Sequence, residues 1–201
     1  MNNILTREFG DRIEDKIETV LQRLKTKISQ MPDNCHFSPV ASEEEIKNLE
    51  SVLSIDLPHS YRTFLKNFNG GFICSESIAK FIKKRNDFET AAWNSLFIFG
   101  TTEIQEEYSK LRDMNWKLFS DLKEVYPFIP FCRTEIQEKL VFILPLDENS
   151  ESPVFDAFHE DPYSDWGILY NNFEEFLESY IDGSIKTIAS AKAKTAIDFV
   201  L

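Results

Sequence analysis

The chain has 201 residues, eighteen of them phenylalanine, and a formal net charge of −12. Burying each large apolar side chain is worth roughly 1.5–3 kcal/mol, so one domain of this size can fold without metal or disulfide. Its acidic balance argues against direct binding to nucleic acid or to anionic lipid.

Along the chain, Ile13, Ile17, Val20, Leu21, Leu24 and Ile28 recur at helical spacing and predict an amphipathic helix over residues 11–30. It reads as a helix docked on the domain. A dimerisation arm is the alternative, which makes a homo-oligomer through this helix a candidate state. A linker then leads to Ser42, where Ser42 and Glu45 form a capping box before Ile46, Leu49 and Leu53. Pro58 breaks the pattern and opens a second helix bearing Tyr61, Phe64, Leu65 and Phe68, which Asn69-Gly70-Gly71 is expected to end as a C-cap.

Phe72-Ile73-Cys74 predicts a strand, and Ile78, Phe81 and Ile82 hint at a short helix among the basic residues Lys80, Lys83, Lys84 and Arg85. A buried strand at Ser95–Phe99 follows. Thr102 with Gln105 then reads as a capping box for a long helix through Ile104, Tyr108, Leu111, Leu118, Leu122 and Val125. Three strands, Phe128–Cys132, Leu140–Leu144 and Pro153–Phe158, are spaced as an antiparallel meander. Asn172 with Glu175 caps a helix bearing Phe173, Phe176, Leu177 and Tyr180, and Gly183 ends it. The tail is expected to be helical, with fraying as the alternative.

Several of these residues carry a resemblance. The S-E-E-E-I start at Ser42, Glu50, the Leu57-Pro58 break, Tyr61 followed by Phe64-Leu65, and Asn69-Gly70-Gly71 resemble the opening of the SUKH superfamily of Smi/Knr-like domains. That superfamily includes fungal cell-wall-assembly regulators and many bacterial immunity proteins that neutralise polymorphic toxins. Ile129-Pro130-Phe131, Val154-Phe155 leading to His159-Glu160-Asp161, and Phe173-x-x-Phe176-Leu177 extend the likeness to Gly183. Arg133–Glu138 departs from the Gly/Asp-rich hairpin of many relatives, and residues 75–95 and 103–125 run longer than the compact pattern.

Metal and catalytic motifs fail on spacing. His159-Glu160 lacks a second histidine one helical turn later, where Tyr163 stands, so neither a metal nor another cofactor is expected. Cys35, Cys74 and Cys132 are far apart, form no C-x-x-C pair and lie in apolar stretches, which points to a reduced, cytoplasmic setting and to packing rather than nucleophilic roles. No stretch has a signal peptide's apolar core or the length to span a bilayer.

The charge distribution is the main functional clue. Residues 1–33 carry six bases and six acids, whereas no Lys or Arg stands between Lys139 and Lys186, where eleven acids do. Its plain reading is a solvated face. The functional reading is a surface that steers a basic partner, with aromatic anchors among Phe158, Tyr163, Trp166 and Tyr170, of which Tyr170 and Phe155 go first to the core. The expected partner-binding residues are Asp147, Glu148, Glu151, Glu160, Asp161, Tyr163, Asp165 and Trp166.

Together these readings predict an α+β fold, a mainly antiparallel β-sheet with packed helices and an extra N-terminal helix. Residues 1–33 form the helical extension, 34–183 the SUKH-like domain and 184–201 the tail. The resemblance implies a non-catalytic, intracellular immunity protein (antitoxin) that binds a cognate toxin, and the acidic charge suits a basic one, such as a nuclease. A regulatory or scaffolding module without a toxin is the alternative.

Overall fold

The computed structural model describes residues 2–119, 128–143, 151–157, 166–185 and 192–195, with side chains outside 2–15, 114–119 and 192–195. Its elements are α1 (Asn2–Gln30), β1 (Cys35–Phe37), α2 (Glu43–Leu53), α3 (His59–Leu65), β2 (Gly71–Ile73), α4 (Glu76–Arg85), α5 (Phe88–Trp93), β3 (Phe97–Ile98), α6 (Thr101–Phe119), β4 (Phe128–Arg133), β5 (Lys139–Ile143), β6 (Val154–Ala157), β7 (Gly167–Tyr170), α7 (Phe173–Asp182) and β8 (Lys192–Thr195). The strands form one sheet in sequence order, every neighbouring pair antiparallel. This is the expected α+β architecture with its N-terminal helix.

Local chemistry explains most boundaries. Ser42 Oγ accepts the Glu45 N–H at 3.1 Å while Glu45 Oε2 accepts the Ser42 N–H at 2.7 Å, the predicted capping box. Pro58 stands just before α3, and the freed Leu57 N–H donates to the buried Glu50 carboxylate at 3.1 Å. The Gly pair does not cap α3, which ends at Leu65. Gly70 and Gly71, both at positive φ, instead let the chain turn into β2 against its neighbours. A Cβ on Gly70 would stand 2.4 Å from the Gly100 nitrogen, and one on Gly71 would stand 2.4 Å from the His36 carbonyl oxygen. Asn69 completes this corner: its Oδ1 accepts the Thr101 N–H at 2.8 Å at the start of α6. That start also differs from expectation, because Glu103 reaches back to the Gly100 N–H at 3.0 Å and Thr102 and Gln105 do not set it.

The core lies between the sheet and its helices. Tyr61 of α3 and Phe173 of α7 pack edge-on at 4.9 Å, and both meet Phe142 of β5. Register shifts between Pro130 and Cys132, where Phe131 stacks on Phe142 with ring centroids 4.1 Å apart. Phe155 and Tyr170 are fully buried, as the sequence indicates. On the opposite face Lys139 turns toward α6 and pairs with Glu107 at 2.9 Å.

Helix α1 is docked along α7 and α3. Ile17, Val20, Leu21 and Leu24 are buried, and Lys16 pairs with the buried Glu174 at 2.6 Å. Arg23 reaches Asp182 at 2.8 Å. The apolar stripe over residues 17–24 is thus used within the chain. Three further elements correct the reading from sequence: β1 occupies the presumed linker, β7 is an additional strand, and Lys192–Thr195 of the tail is a strand paired with β7, not a helix. The end of the 103–125 helix beyond Phe119 lies outside the described residues.

Candidate protein-docking surface

Antiparallel pairing fixes where each connection leaves the sheet. The β4–β5 turn, residues 134–138, marks one end; Lys139 pairs with Ala157, so the β6–β7 connection leaves from this same end. The β5–β6 connection leaves from the other end, where Ile143 pairs with Phe128. The anchors for residues 158–165 and for residues 144–150 therefore stand at opposite ends, although both segments belong to one acidic stretch of sequence. Asp147, Glu148, Glu160, Asp161, Tyr163 and Asp165 themselves lie outside the described residues, as does His159.

The two expected contact residues that are described both serve the fold. Trp166 is 5% exposed and meets Phe128 edge-on at 5.0 Å, so its indole belongs to the core. Glu151 caps α3: its carboxylate accepts the Ser60 N–H at 2.8 Å and the Ser60 hydroxyl at 2.5 Å. Burial raises the Glu151 carboxyl above its ordinary value, against the Ser60 hydrogen bonds, which lower it.

The exposed rings and aliphatic groups stand elsewhere. Ile136, at the tip of the β4–β5 turn, is 74% exposed, and Trp93, the last residue of α5, is 55% exposed. Gln137 joins them, its Nε2 donating to the Trp93 carbonyl at 2.8 Å from a backbone with φ of 71°. Arg133 Nη2 donates to the Ala92 carbonyl at 3.0 Å, and its guanidinium lies 4.7 Å from the Trp93 ring centre. Composition does not single out Trp93 or Ile136. The available signal was a lone isoleucine in the polar run Thr134-Glu135-Ile136-Gln137-Glu138 and a tryptophan inside the insert at 75–95.

Beside this turn a cleft of about 660 Å³ opens between the sheet and the C-terminal end of α7. Ile73, Leu96, Leu140 and Leu169 supply apolar walls, Ile185 stands at the α7 side, and Lys27 of α1 also lines it. Glu138 and Asp156, 6% and 9% exposed, line it too, with Glu135 and Ile136 of the turn. Strand alternation explains the placement: Glu138 and Leu140 share a face, and Asp156 is the direct cross-strand partner of Leu140. Tyr180 fixes the helix over this end, its hydroxyl accepting the Ile73 N–H at 2.6 Å and donating to the Leu96 carbonyl at 3.2 Å.

Chemistry of other kinds finds little support among the described residues. No group of three or more His, Cys, Asp or Glu side chains there could hold a metal. All three cysteines are buried, and burial pushes their thiols up, Cys132 well above the ordinary value, which opposes thiolate formation. The His36 ring packs between Phe72 and Phe88. No described helix is long and apolar enough to cross a membrane.

No curated protein matches the chain. Residues 40–179, well over half of it, match the SMI1 / KNR4 family (SUKH-1), the span that holds α2 through most of α7 and the corner built by Asn69-Gly70-Gly71. The chain belongs to the SMI1 / KNR4 family (SUKH-1).

Proposed function

We propose that the protein is an immunity protein that binds a basic toxin inside the cell and blocks its active site without catalysis of its own. Family membership supports a protein-binding module. The observation that carries the reading further is the turn end of the sheet. Exposed Trp93 and Ile136 adjoin a cleft that holds two buried carboxylates, and the acidic β6–β7 connection is anchored at the same end. Rings and aliphatic groups of this kind supply buried contact in an interface, and carboxylates supply steering and sign selection. A basic toxin suits the net charge of −12, because an acidic inhibitor can occupy a groove built for phosphates.

Glu160, Asp161, Tyr163 and Asp165 belong to this docking end in the proposal, while Asp147 and Glu148 contribute to the general field. Glu151 and Trp166 act indirectly, by holding α3 and the β7 start. Co-expression with the product of each neighbouring gene, scored by cell survival, tests the reading. Rescue from a basic toxin, with binding weakened by salt and by charge reversal at Asp161 and Asp165, supports it. Failure to rescue from any neighbouring product, with binding instead to a non-toxic protein, replaces it with a regulatory module.

A further inference from the structure

We propose that the outer edge of β1, together with the aromatic cleft beside Phe88, takes an extended segment of the protein partner as an added strand. This rests on the docking reading above and names the part of the partner that is held.

Among the described strands β1 stands at one end of the sheet and pairs with β2 alone. The Cys74 N–H donates to the Asn34 carbonyl at 2.8 Å and the Ser38 N–H to the Gly70 carbonyl at 3.0 Å. Both bonds belong to one antiparallel register, in which His36 faces Phe72. Backbone direction alternates along a strand, so Asn34, His36 and Ser38 turn toward β2 while Cys35 and Phe37 turn their N–H and C=O groups away. No described residue takes up those outward groups. They recur about every 7 Å, a spacing that another extended chain matches and a helix does not. Within β1, Cys-His-Phe has neither the lysine nor the proline that commonly blunts an edge. Lys83 pairs with Asp33 just before the strand, and Asn34 Nδ2 donates to the Cys74 carbonyl at 3.1 Å, so the edge is held in place.

Three residues of ladder give little selectivity, and the cleft supplies the rest. It measures about 370 Å³ and is lined by Cys35, His36, Phe37, Phe72, Phe88 and Phe97 among others. The His36 ring stands 5.0 Å from Phe72 and 5.3 Å from Phe88, on the face opposite Phe37, whose ring packs on Phe68. No Asp, Glu, Lys or Arg is among the described residues that line the cleft. A large apolar side chain on the added strand therefore enters without stripping water from an ion, and covers Phe88, which is 48% exposed.

Helix α5 carries Phe88 at its start and Trp93 at its end, so a partner seated on Trp93 meets the β1 edge along one short helix. Charge chooses the partner. Two copies of this chain carry −12 each and repel, whereas a basic protein is drawn in.

Backbone amide exchange of the full chain is the readout, with the toxin that passes the survival screen as ligand. The peptide acetyl-Lys-Thr-Val-Phe-Val-Thr-Lys-amide is a toxin-independent probe, and its form N-methylated at the five central amides keeps the side chains but blocks the ladder. At saturation the toxin and the peptide should each slow exchange at Cys35 and Phe37 at least tenfold, with less change at His36 and no effect of the methylated peptide. Phe88→Ser opens the cleft without touching the β1 backbone and should weaken toxin and peptide at least fivefold.

Toxin binding that leaves Cys35 and Phe37 unchanged overturns the added strand and leaves the docking reading standing. Equal slowing by the methylated peptide also overturns it, and unchanged affinities in Phe88→Ser overturn the cleft. Slowing that grows with protein concentration in the absence of toxin assigns the edge to a second copy and overturns the partner. If no toxin binds, the peptide decides: slowing keeps β1 as a strand acceptor and removes the docking reading, and no slowing overturns both.

Discussion

Asn69 holds the first turn of α6 by accepting the Thr101 backbone N–H on its Oδ1 at 2.8 Å, while its Nδ2 donates to the Thr101 hydroxyl at 3.2 Å. The Asn-Gly-Gly signature is thereby explained as a corner. The amide side chain caps one element, and two residues without Cβ let the backbone pass Gly100 and β1. Asn69→Ala should lower unfolding free energy by about 0.5–2 kcal/mol, read from urea denaturation midpoints at constant m-value. Asn69→Asp keeps an acceptor and should lose less.

Tyr180 ties α7 to β2 and to the residue just before β3 through one oxygen. Tyr180→Phe leaves the partly buried Ile73 N–H without its acceptor and should cost about 1 kcal/mol. Amide exchange at Ile73 should accelerate more than exchange at Val141 in the sheet centre. Equal protection at both positions would count against the role given to this hydroxyl.

Two carboxylates should respond to pH with opposite sign. Burial pushes Glu107 up, but hydrogen bonds and charge from Lys110 and Lys139 outweigh it and lower its carboxyl below the ordinary 4.5. A carboxyl lowered by folding stabilises the fold above its unfolded value, and that contribution is lost as pH falls through the folded one. Glu107→Gln should therefore flatten the acid limb of the stability curve below pH 4.5, followed by thermal melts in a pH series.

Glu151 runs the other way. Burial raises its carboxyl above 4.5, so the fold binds that proton more tightly than the unfolded chain does. Its contribution to stability grows as pH falls from neutrality through the raised value and reaches its full size below 4.5. Glu151→Gln keeps an acceptor for Ser60 and should remove this rise. A wild-type and variant pair whose difference does not change with pH would contradict it.

Trp93 and Trp166 separate binding from folding. Trp166→Ala should cost about 3–5 kcal/mol, the usual range for a buried aromatic cut to alanine. Trp93→Ala changes a half-exposed ring and should shift stability by about 1 kcal/mol or less, while reducing toxin affinity tenfold or more. Calorimetric melts alongside titration against the toxin check both.

Much of the fold was legible because local signals agree with tertiary packing. Ser42 with Glu45 sets the start of α2, Asn172 caps α7, Gly183 ends it, and the apolar stripes of α2, α3 and α7 are the buried ones. The strand residues Cys35–Phe37, Gly167–Tyr170 and Lys192–Thr195 were not, because each is short and acquires its identity from a partner strand. Nothing local in Lys-Ala-Lys-Thr opposes a helix; pairing with β7 decides it. The candidate site was harder still. Acid content is visible in composition, but Glu151 and Trp166 show that proximity to acids does not tell a capping carboxylate or a core ring from a contact residue. Exposure depends on packing from Ile136 and Trp93 outward, and no period in the sequence encodes it.

Every strand of the sheet pairs with its neighbours in the chain, so the sheet can assemble in sequence order as the polypeptide emerges. Helix α1 waits longest for a partner: Lys16 and Glu174 meet across 158 residues. During synthesis its apolar stripe emerges before the rest of the described fold, yet its berth stays half-built, on α3 alone, until α7 has been made. That waiting period makes α1 the segment most open to chaperone capture, and the docking of α1 the closing event of folding.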